Sequence, residues 1–237
     1  MSNPSPNHTY DRNDWFPQAG KKFDIAVLII VWMLFGVLIY TTPLVSWWML
    51  GLILFLAFEA NDLVVGIVHW GLDKYIRYDH KVFGHLARTF REHHPRPEEI
   101  YSHGYLETNS NAYFFVMLLT IPTISLVHTP GARWFCLFFL IIGAQSATIH
   151  RWAHVPQAPR VVSLLQRWGV LLSPGHHINH HNGYMSHYCA ISGHLNPFFD
   201  GLKIWRGIEY VIKKATKIAP FHELERSERE KMGGAMN

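Results

Sequence analysis

The chain contains 237 residues, of which 49% are hydrophobic and only 16% charged, a composition that argues against an ordinary soluble domain and favours a membrane protein. The net charge of +4 does not indicate a nucleic-acid-binding protein, because the basic residues lie beside apolar segments, where anionic lipid headgroups are the natural counterpart. Two cysteines, Cys136 and Cys189, are too few for a disulfide framework and show no CxxC spacing, so both are predicted to be reduced.

Four apolar segments approach or exceed the length needed to cross a bilayer core of roughly 30 Å. They cover residues 23–40, 44–70, 112–127 and 133–149. Very short connections at 41–43 and 128–132 predict that each successive pair is an antiparallel hairpin. The sequence therefore predicts an all-α integral membrane protein with four transmembrane helices in two hairpins.

Lysine and arginine residues predict the orientation of these helices. They precede the first segment and cluster between the second and third, whereas the two short connections contain none. By the positive-inside rule, the N-terminus, the middle segment and the C-terminal third face the cytosol, so the grouped histidines form a histidine-rich helical cap on that side. Amphipathic stretches at 161–172 and 201–214 are predicted as interfacial or cytosolic helices. The predicted boundaries are a polar tail at 1–22, a membrane domain at 23–214 and a polar tail at 215–237.

The first group of candidate site residues lies at the end of the second apolar segment. Glu59, Asp62, Gly66, His69 and Asp73 recur every three or four residues and share one helix face. Carboxylates and a histidine bordering a membrane helix are unfavourable unless they face a polar interior, which makes this face a candidate site. The alternative for His69 is a histidine that caps a span at headgroup level.

The second group contains His93, His94 and His103. Adjacent histidines on a helix point about 100° apart, so His93 and His94 can supply one ligand to each of two metals or to opposite sides of one pocket. The alternative is a solvated basic loop.

The third and fourth groups have the spacing of chelating pairs. His150 and His154 are four residues apart, and His177, His180 and His181 share one helix face, from which His176 projects away. The alternative is a surface helix rich in histidine.

Together these groups supply nine candidate ligands, more than one tetrahedral zinc or one bis-histidine haem requires. Two metal ions are the economical interpretation, and imidazole-rich ligation with open positions suits iron among other metals. The HExxH signature of zinc proteases is absent.

Four residues are candidates to orient the ligands by hydrogen bonds, namely Asp62, Asp73, Glu107 and Asn179. Of the other histidines, His187 and His194 remain undecided, and those predicted to lie on the surface are His8, His80, His85, His128 and His222.

Six motifs together resemble the Kua-type lipid desaturase family over roughly residues 45–212. They are VHWGLD at 68–73, FREHH at 90–94, SHGYLETN at 102–109, HRWAH at 150–154, HHINHH at 176–181 and YCAISGHLN at 188–196. The resemblance implies an integral membrane enzyme that uses two iron ions and O2 to desaturate a lipid, with the nine histidines as iron ligands. It is nearest to the ether-lipid branch, whose members form the vinyl ether bond of plasmalogens.

Several alternatives remain open at this point. The substrate could be an acyl chain of a phospholipid of the phosphatidylglycerol type, the reaction could be a hydroxylation at the same metal centre, or the protein could be a metal-binding transporter or sensor. Since the sequence contains no flavin or nicotinamide fingerprint, an external electron donor such as cytochrome b5 or a ferredoxin is expected. The membrane would be the endoplasmic reticulum in a eukaryote or the inner membrane in a bacterium.

Overall fold

The computed structural model describes residues 21–183 and 185–223, and these residues form ten α-helices and no β-strand. Most of both predicted tails, and with them His8, lie outside the described residues. The four long helices are α1 (Lys21–Thr41), α2 (Trp47–Lys74), α5 (Tyr105–Leu126) and α6 (Pro130–Trp152). The six short helices are α3 (Gly84–Glu92), α4 (Glu99–Ser102), α7 (Arg160–Arg167), α8 (Pro174–His181), α9 (Asn196–Gly201) and α10 (Ile204–Thr216).

Three of the long helices, α1, α2 and α6, are long and apolar enough to cross a membrane. Large apolar side chains are exposed on their outer faces, as Met33 and Phe55 show with 58% and 56% of their surface accessible. Such exposure is expected of a surface that contacts lipid rather than water. The predicted third span falls within α5, whose first turns carry Glu107, Asn109 and Asn111 and leave a shorter apolar stretch.

The long helices pack in a different order from their order along the chain. α1 packs mainly against α5, α2 against α6, and α5 against α6. The core between them is built from apolar side chains, including Val31, Phe35, Tyr113 and Leu137. The first two segments, predicted as one hairpin, therefore find their main packing partners in the second pair.

The two short connections between long helices meet at one end of the bundle, where Arg133 ties them together. Its guanidinium donates to the hydroxyls of Thr41 (2.6 Å) and Thr42 (3.0 Å) and to the carbonyl oxygen of Val127 (3.1 Å). These acceptors lie at helix ends, and the two threonine hydroxyls also donate to the carbonyl oxygens of Val37 and Leu38 within α1. The buried arginine thus joins α1 to the connection between α5 and α6.

The short helices gather at the opposite end of the bundle. The amphipathic stretch predicted at 161–172 contains all but the first residue of α7, and that predicted at 201–214 contains most of α10. Trp205 of α10 stacks on Trp70 of α2, with ring centroids 5.8 Å apart, and the indole nitrogen of Trp70 donates to Glu209 at 3.1 Å. These contacts fix α10 beside the last turns of α2, where the histidines lie.

Candidate metal centre

The last two turns of α2 contribute His69 and Asp73, which lie one turn apart with both side chains buried. Oδ2 of Asp73 is 3.5 Å from Nε2 of His69, and it also lies 3.7 Å from Nε2 of His94 and 3.4 Å from Nε2 of His180. From the sequence, Asp73 was expected to orient His69. The structure places its carboxylate among the imidazoles as a candidate ligand.

His93 and His94 follow directly after α3, and their rings turn to different neighbours. Nε2 of His94 lies 3.0 Å from Nε2 of His180. The ring of His93 lies 5.1 Å, centroid to centroid, from the rings of His154 and His181. The two side chains point in different directions, as expected of adjacent residues on a helical turn.

The C-terminal end of α6 and helix α8 bring the histidines of the third and fourth groups close to His69 and His94. Helix α8 begins at Pro174, and the hydroxyl of Ser173 accepts the backbone N–H of His176, a normal N-terminal cap. Nε2 of His177 lies 2.9 Å from Nε2 of His150 and 3.2 Å from Nε2 of His181.

The rings assemble into two adjacent groups of four side chains, and within each group the candidate ligand atoms lie within 4.8 Å of one another. The first group contains His69, Asp73, His94 and His180, and the second contains His93, His154, His177 and His181. The two groups are in contact, since the rings of His94 and His181 are 4.9 Å apart. Residues separated by more than a hundred positions in the chain therefore surround one small volume.

Backbone carbonyl groups fix the orientation of three of these rings. Nδ1 of His69 lies 3.1 Å from the carbonyl oxygen of Tyr188, and Nδ1 of His180 lies 2.8 Å from that of Ser186. Nδ1 of His93 lies 3.3 Å from the carbonyl oxygen of Thr89. Because a carbonyl can only accept, each Nδ1 carries the proton and each Nε2 presents a lone pair to the centre.

Several buried polar atoms of the centre have no hydrogen-bond partner among the described residues. These atoms are Nε2 of His69, Nε2 of His93 and both carboxylate oxygens of Asp73. Buried polar atoms are normally paired, so atoms left in this state indicate a ligand that the chain itself does not supply. A set of imidazole nitrogens with one carboxylate is the donor chemistry of iron and zinc, and each group of four side chains could hold one such ion.

Burial lowers the pKa of three histidines of the centre that lie outside the long helices. Burial and the neighbouring His181 lower the pKa of His154 to about 3, and burial and His180 lower that of His181 to about 4. The pKa of His177 is lowered well below its usual value, by burial and then by His154. Neutral imidazole is the form that binds metal ions.

Two predicted ligands lie outside the groups of four. His150 lies between the groups, with its ring 5.3 Å from that of His69 and its Nε2 3.3 Å from Nε2 of His154. His103 instead lies beside Glu107, with Nδ1 to Oε1 at 3.2 Å and about a third of its side chain exposed. The backbone of His103 is extended after α4, and this turns the ring toward the start of α5.

A segment that the sequence did not single out as a site forms one wall of the centre. Asp62 of α2 accepts the backbone N–H groups of Ile191 (2.8 Å), Ser192 (3.0 Å) and Gly193 (3.2 Å). A side chain at Gly66 would meet Sγ of Cys189 at 2.7 Å, so glycine allows this segment to lie directly on α2. The regular spacing of Asp62 and Gly66 marks their helix face, and the motif at 188–196 marks the partner segment, but neither pattern predicts that the two are in contact.

The other histidines serve local contacts. His194 bridges Glu59 of α2 and the carbonyl oxygen of Gly169, at 2.8 and 2.7 Å. His80 and His128 are exposed, as predicted, and His222 is half-buried. Asn179, predicted to orient a ligand, is exposed on α8 and turned away from His177 and His180. The side chain of His85 lies outside the described part of the structure.

An apolar cavity of about 220 Å³ opens beside the centre. It lies between α2, α3, α5 and α6, and its lining includes Val68, Phe90, Ala112, Phe115 and Ala147. The imidazoles of His93 and His150 form part of its wall, and His103 and Glu107 also line it. Its mostly apolar lining suits an alkyl chain held against the metal centre.

Comparison with known proteins gives a family and several curated relatives. The family described as "Lipid desaturase domain" matches residues 58–223. A protein named plasmanylethanolamine desaturase from Myxococcus xanthus is 32% identical over 215 residues, which cover 86% of this chain and 76% of that protein. Plasmanylethanolamine desaturase 1 of Mus musculus is 31% identical, over 67% of this chain and 63% of its own length.

A plant relative carries a different name. Fatty acid desaturase 4, chloroplastic, of Arabidopsis thaliana is 30% identical over 63% of this chain, and the match spans 47% of its own length. No solved structure matches the chain significantly.

Proposed function

The chain belongs to the lipid desaturase family and is a membrane enzyme of that class, and we propose that it forms the vinyl ether double bond of an ethanolamine ether phospholipid. The observation that carries this proposal is a pair of adjacent ligand groups beside an apolar cavity, in which several buried polar atoms have no hydrogen-bond partner within residues 21–183 and 185–223. The names of the bacterial and mouse relatives favour an ether lipid carrying ethanolamine over other lipids.

The proposed metal centre contains two iron ions. His69, Asp73, His94 and His180 would hold one, and His93, His154, His177 and His181 would hold the other, with His150 between them. When bound, the iron pair supplies the activation of O2 that desaturation requires. His103 is a weaker candidate ligand, because the structure pairs it with Glu107.

The protein's own residues would position the substrate and exclude water. The apolar walls of the cavity hold the alkyl chain, and His93 and His150 mark the point at which it meets the centre. Both of these histidines are buried, which keeps water from this point and protects a reactive centre from side reactions.

The proposed topology keeps four spans in two hairpins, with α5 as the third. The basic residues between the second and third spans then place the histidine-rich end on the cytosolic side. An external donor of two electrons, such as cytochrome b5 or a ferredoxin, would approach this side. In a eukaryote the membrane would be the endoplasmic reticulum, and in a bacterium the inner membrane.

The proposal is tested by expressing the gene in a host that makes saturated ether lipids but no vinyl ethers. Mass spectrometry of the lipids should reveal ethanolamine vinyl ethers two hydrogens lighter than their precursors. Loss of two hydrogens from an acyl chain instead would support the second candidate, an acyl desaturase, which the name of the plant relative favours. A gain of one oxygen without unsaturation would identify a hydroxylase and refute both.

A variant in the cavity tests the place of the alkyl chain. Ala147→Phe fills the cavity beside His150 and should lower product formation roughly 10- to 100-fold, because a small displacement of the reacting carbon has an effect of that order. Iron content should be unchanged. Ala215→Phe, on the exposed face of α10, is the matched control and should retain activity. Equal activity in both variants would place the substrate elsewhere.

A further inference from the structure

Between α8 and α9, residues 186–188 direct two carbonyl groups into the metal centre. The carbonyl oxygen of Ser186 accepts from Nδ1 of His180, and that of Tyr188 accepts from Nδ1 of His69. His187, between them, has φ of 60°, in the left-handed region that side chains other than glycine seldom adopt. This unusual backbone turn allows carbonyl groups two residues apart to reach two rings of the same ligand group.

Asp200 of α9 holds His187 in this conformation. Its Oδ2 accepts the backbone N–H of His187 at 3.1 Å and lies 3.3 Å from Nδ1 of the His187 ring. The hydroxyl of Ser186 lies 2.8 Å from the same ring nitrogen. A left-handed residue with a bulky side chain is strained, and it persists where surrounding contacts hold it.

Both oriented rings belong to the first ligand group, of His69, Asp73, His94 and His180. In the second group, the carbonyl acceptor of His93 is Thr89, one turn earlier in the chain, and it does not depend on residues 186–188. The carbonyl groups of residues 186 and 188 therefore orient rings of the first group, whereas the ring of His93 is oriented independently of them.

We infer that His187 and Asp200 are positioning residues, which act through the carbonyl groups of Ser186 and Tyr188 to set the affinity of the first ligand group for its metal ion. The inference rests on the proposed function, since it takes the two groups to be metal sites. An imidazole that loses its hydrogen-bond acceptor loses its fixed orientation and tautomer, and the affinity of a metal site then falls about 10- to 100-fold.

Two substitutions at one position separate the backbone role of His187 from its side chain. Glycine adopts a φ of 60° freely, whereas a β-branched residue does so only with strain. His187→Gly should therefore keep both metal ions, although it lacks the imidazole. His187→Val should weaken one of the two sites about 10- to 100-fold and leave the other unchanged.

Variants of Asp200 provide a second line of evidence in case His187→Val does not fold. Asp200→Ala removes the acceptor and should reproduce the loss at one site. Asp200→Asn keeps an oxygen for the backbone N–H of His187 and should restore most of the affinity.

The first measurement is the number of iron ions bound per chain in purified protein as a competing ferrous chelator is added. Mössbauer spectra of protein loaded with the 57Fe isotope then distinguish the two sites. Loss of one signal in His187→Val and Asp200→Ala, with both kept in His187→Gly, is the expected result. Equal loss from both sites, equal behaviour of the glycine and valine variants, or no loss at all would overturn the inference. If the unaltered protein binds no iron pair, the proposed function itself fails.

Discussion

The two ends of the helical bundle treat buried polar groups in opposite ways. At one end, the guanidinium of Arg133 finds acceptors in Thr41, Thr42 and Val127. At the other end, His69, His93 and Asp73 bury polar atoms that have no hydrogen-bond partner among the described residues. A buried polar network whose donors and acceptors pair with one another stabilises the fold, whereas one that is left incomplete indicates a ligand.

The largest expected effect is at the incomplete end. His180→Ala removes a buried member of the first ligand group, so product formation should fall by more than roughly 100-fold and iron should fall from about two ions per chain to about one. Iron analysis and lipid mass spectrometry measure both. Asn179→Ala, at the neighbouring exposed position of α8, is the matched control and should change neither. Full iron content in His180→Ala would remove this residue from the ligand set.

Arg133→Met removes the central donor of the hydrogen-bond network at the opposite end of the bundle. It leaves two hydroxyls and a carbonyl without their charged donor, and the free energy of unfolding should fall by about 3 kcal/mol. Iron per folded chain should be unchanged, because the ligands lie at the opposite end. Thermal unfolding in detergent, with iron analysis of the folded fraction, measures this. A variant that folds normally and loses iron would show that the two ends are coupled.

The stability of the iron-free protein should depend on pH through the buried histidines at the metal-centre end. The pKa of His181 is about 4 and that of His154 about 3 in the folded chain, whereas both are near 6.5 in an unfolded chain. The unfolded state therefore takes up more protons below pH 6.5, and stability should fall as the pH is lowered from about 6.5 toward 4. Melting temperature against pH, with His181→Gln for comparison, should reveal a shallower fall in the variant. If the melting temperature falls equally steeply with pH in both proteins, His181 does not contribute to the pH dependence.

The smallest effect is expected at His103. Its ring is paired with Glu107 at the cavity and lies outside both ligand groups, so His103→Ala should retain both iron ions. Activity should fall by less than about 10-fold, through altered substrate binding. Loss of one iron ion in this variant would return His103 to the ligands that the family resemblance implies.

Local spacing allowed much of this molecule to be predicted from its sequence. The i and i+4 positions of His177 and His181 predict a shared helix face, and both lie on α8. The pair His150 and His154 also comes together, with 3.3 Å between the Nε2 atoms, although α6 ends at Trp152 and His154 follows it in a turn. The apolar segments likewise predicted the four long helices to within a few residues at most of their ends. The start of α5 differs, because the polar residues Glu107 and Asn109 continue a helix that hydropathy alone does not predict.

Tertiary arrangement could not be predicted in the same way. Spacing does not determine that α1 packs mainly on α5, or that Asp73 lies among three imidazoles. The carbonyl groups of Ser186 and Tyr188 carry no side-chain signal at all, since every residue has a carbonyl. His103 was grouped with His93 and His94 by proximity in the chain, but the extended backbone before α5 separates it from them.

The bonds from Asp62 to residues 191–193 have a consequence for how the chain is made. Asp62 and Ile191 are 129 positions apart, so at about 5 to 20 residues per second the donors emerge roughly 6 to 26 s after the carboxylate. During that time α2 must enter the bilayer with an acidic residue whose native partners do not yet exist. An asparagine at this position would make membrane insertion of α2 easier but would weaken the hydrogen bonds to residues 191–193. Membrane insertion therefore favours a neutral side chain at position 62, whereas the folded site favours a carboxylate.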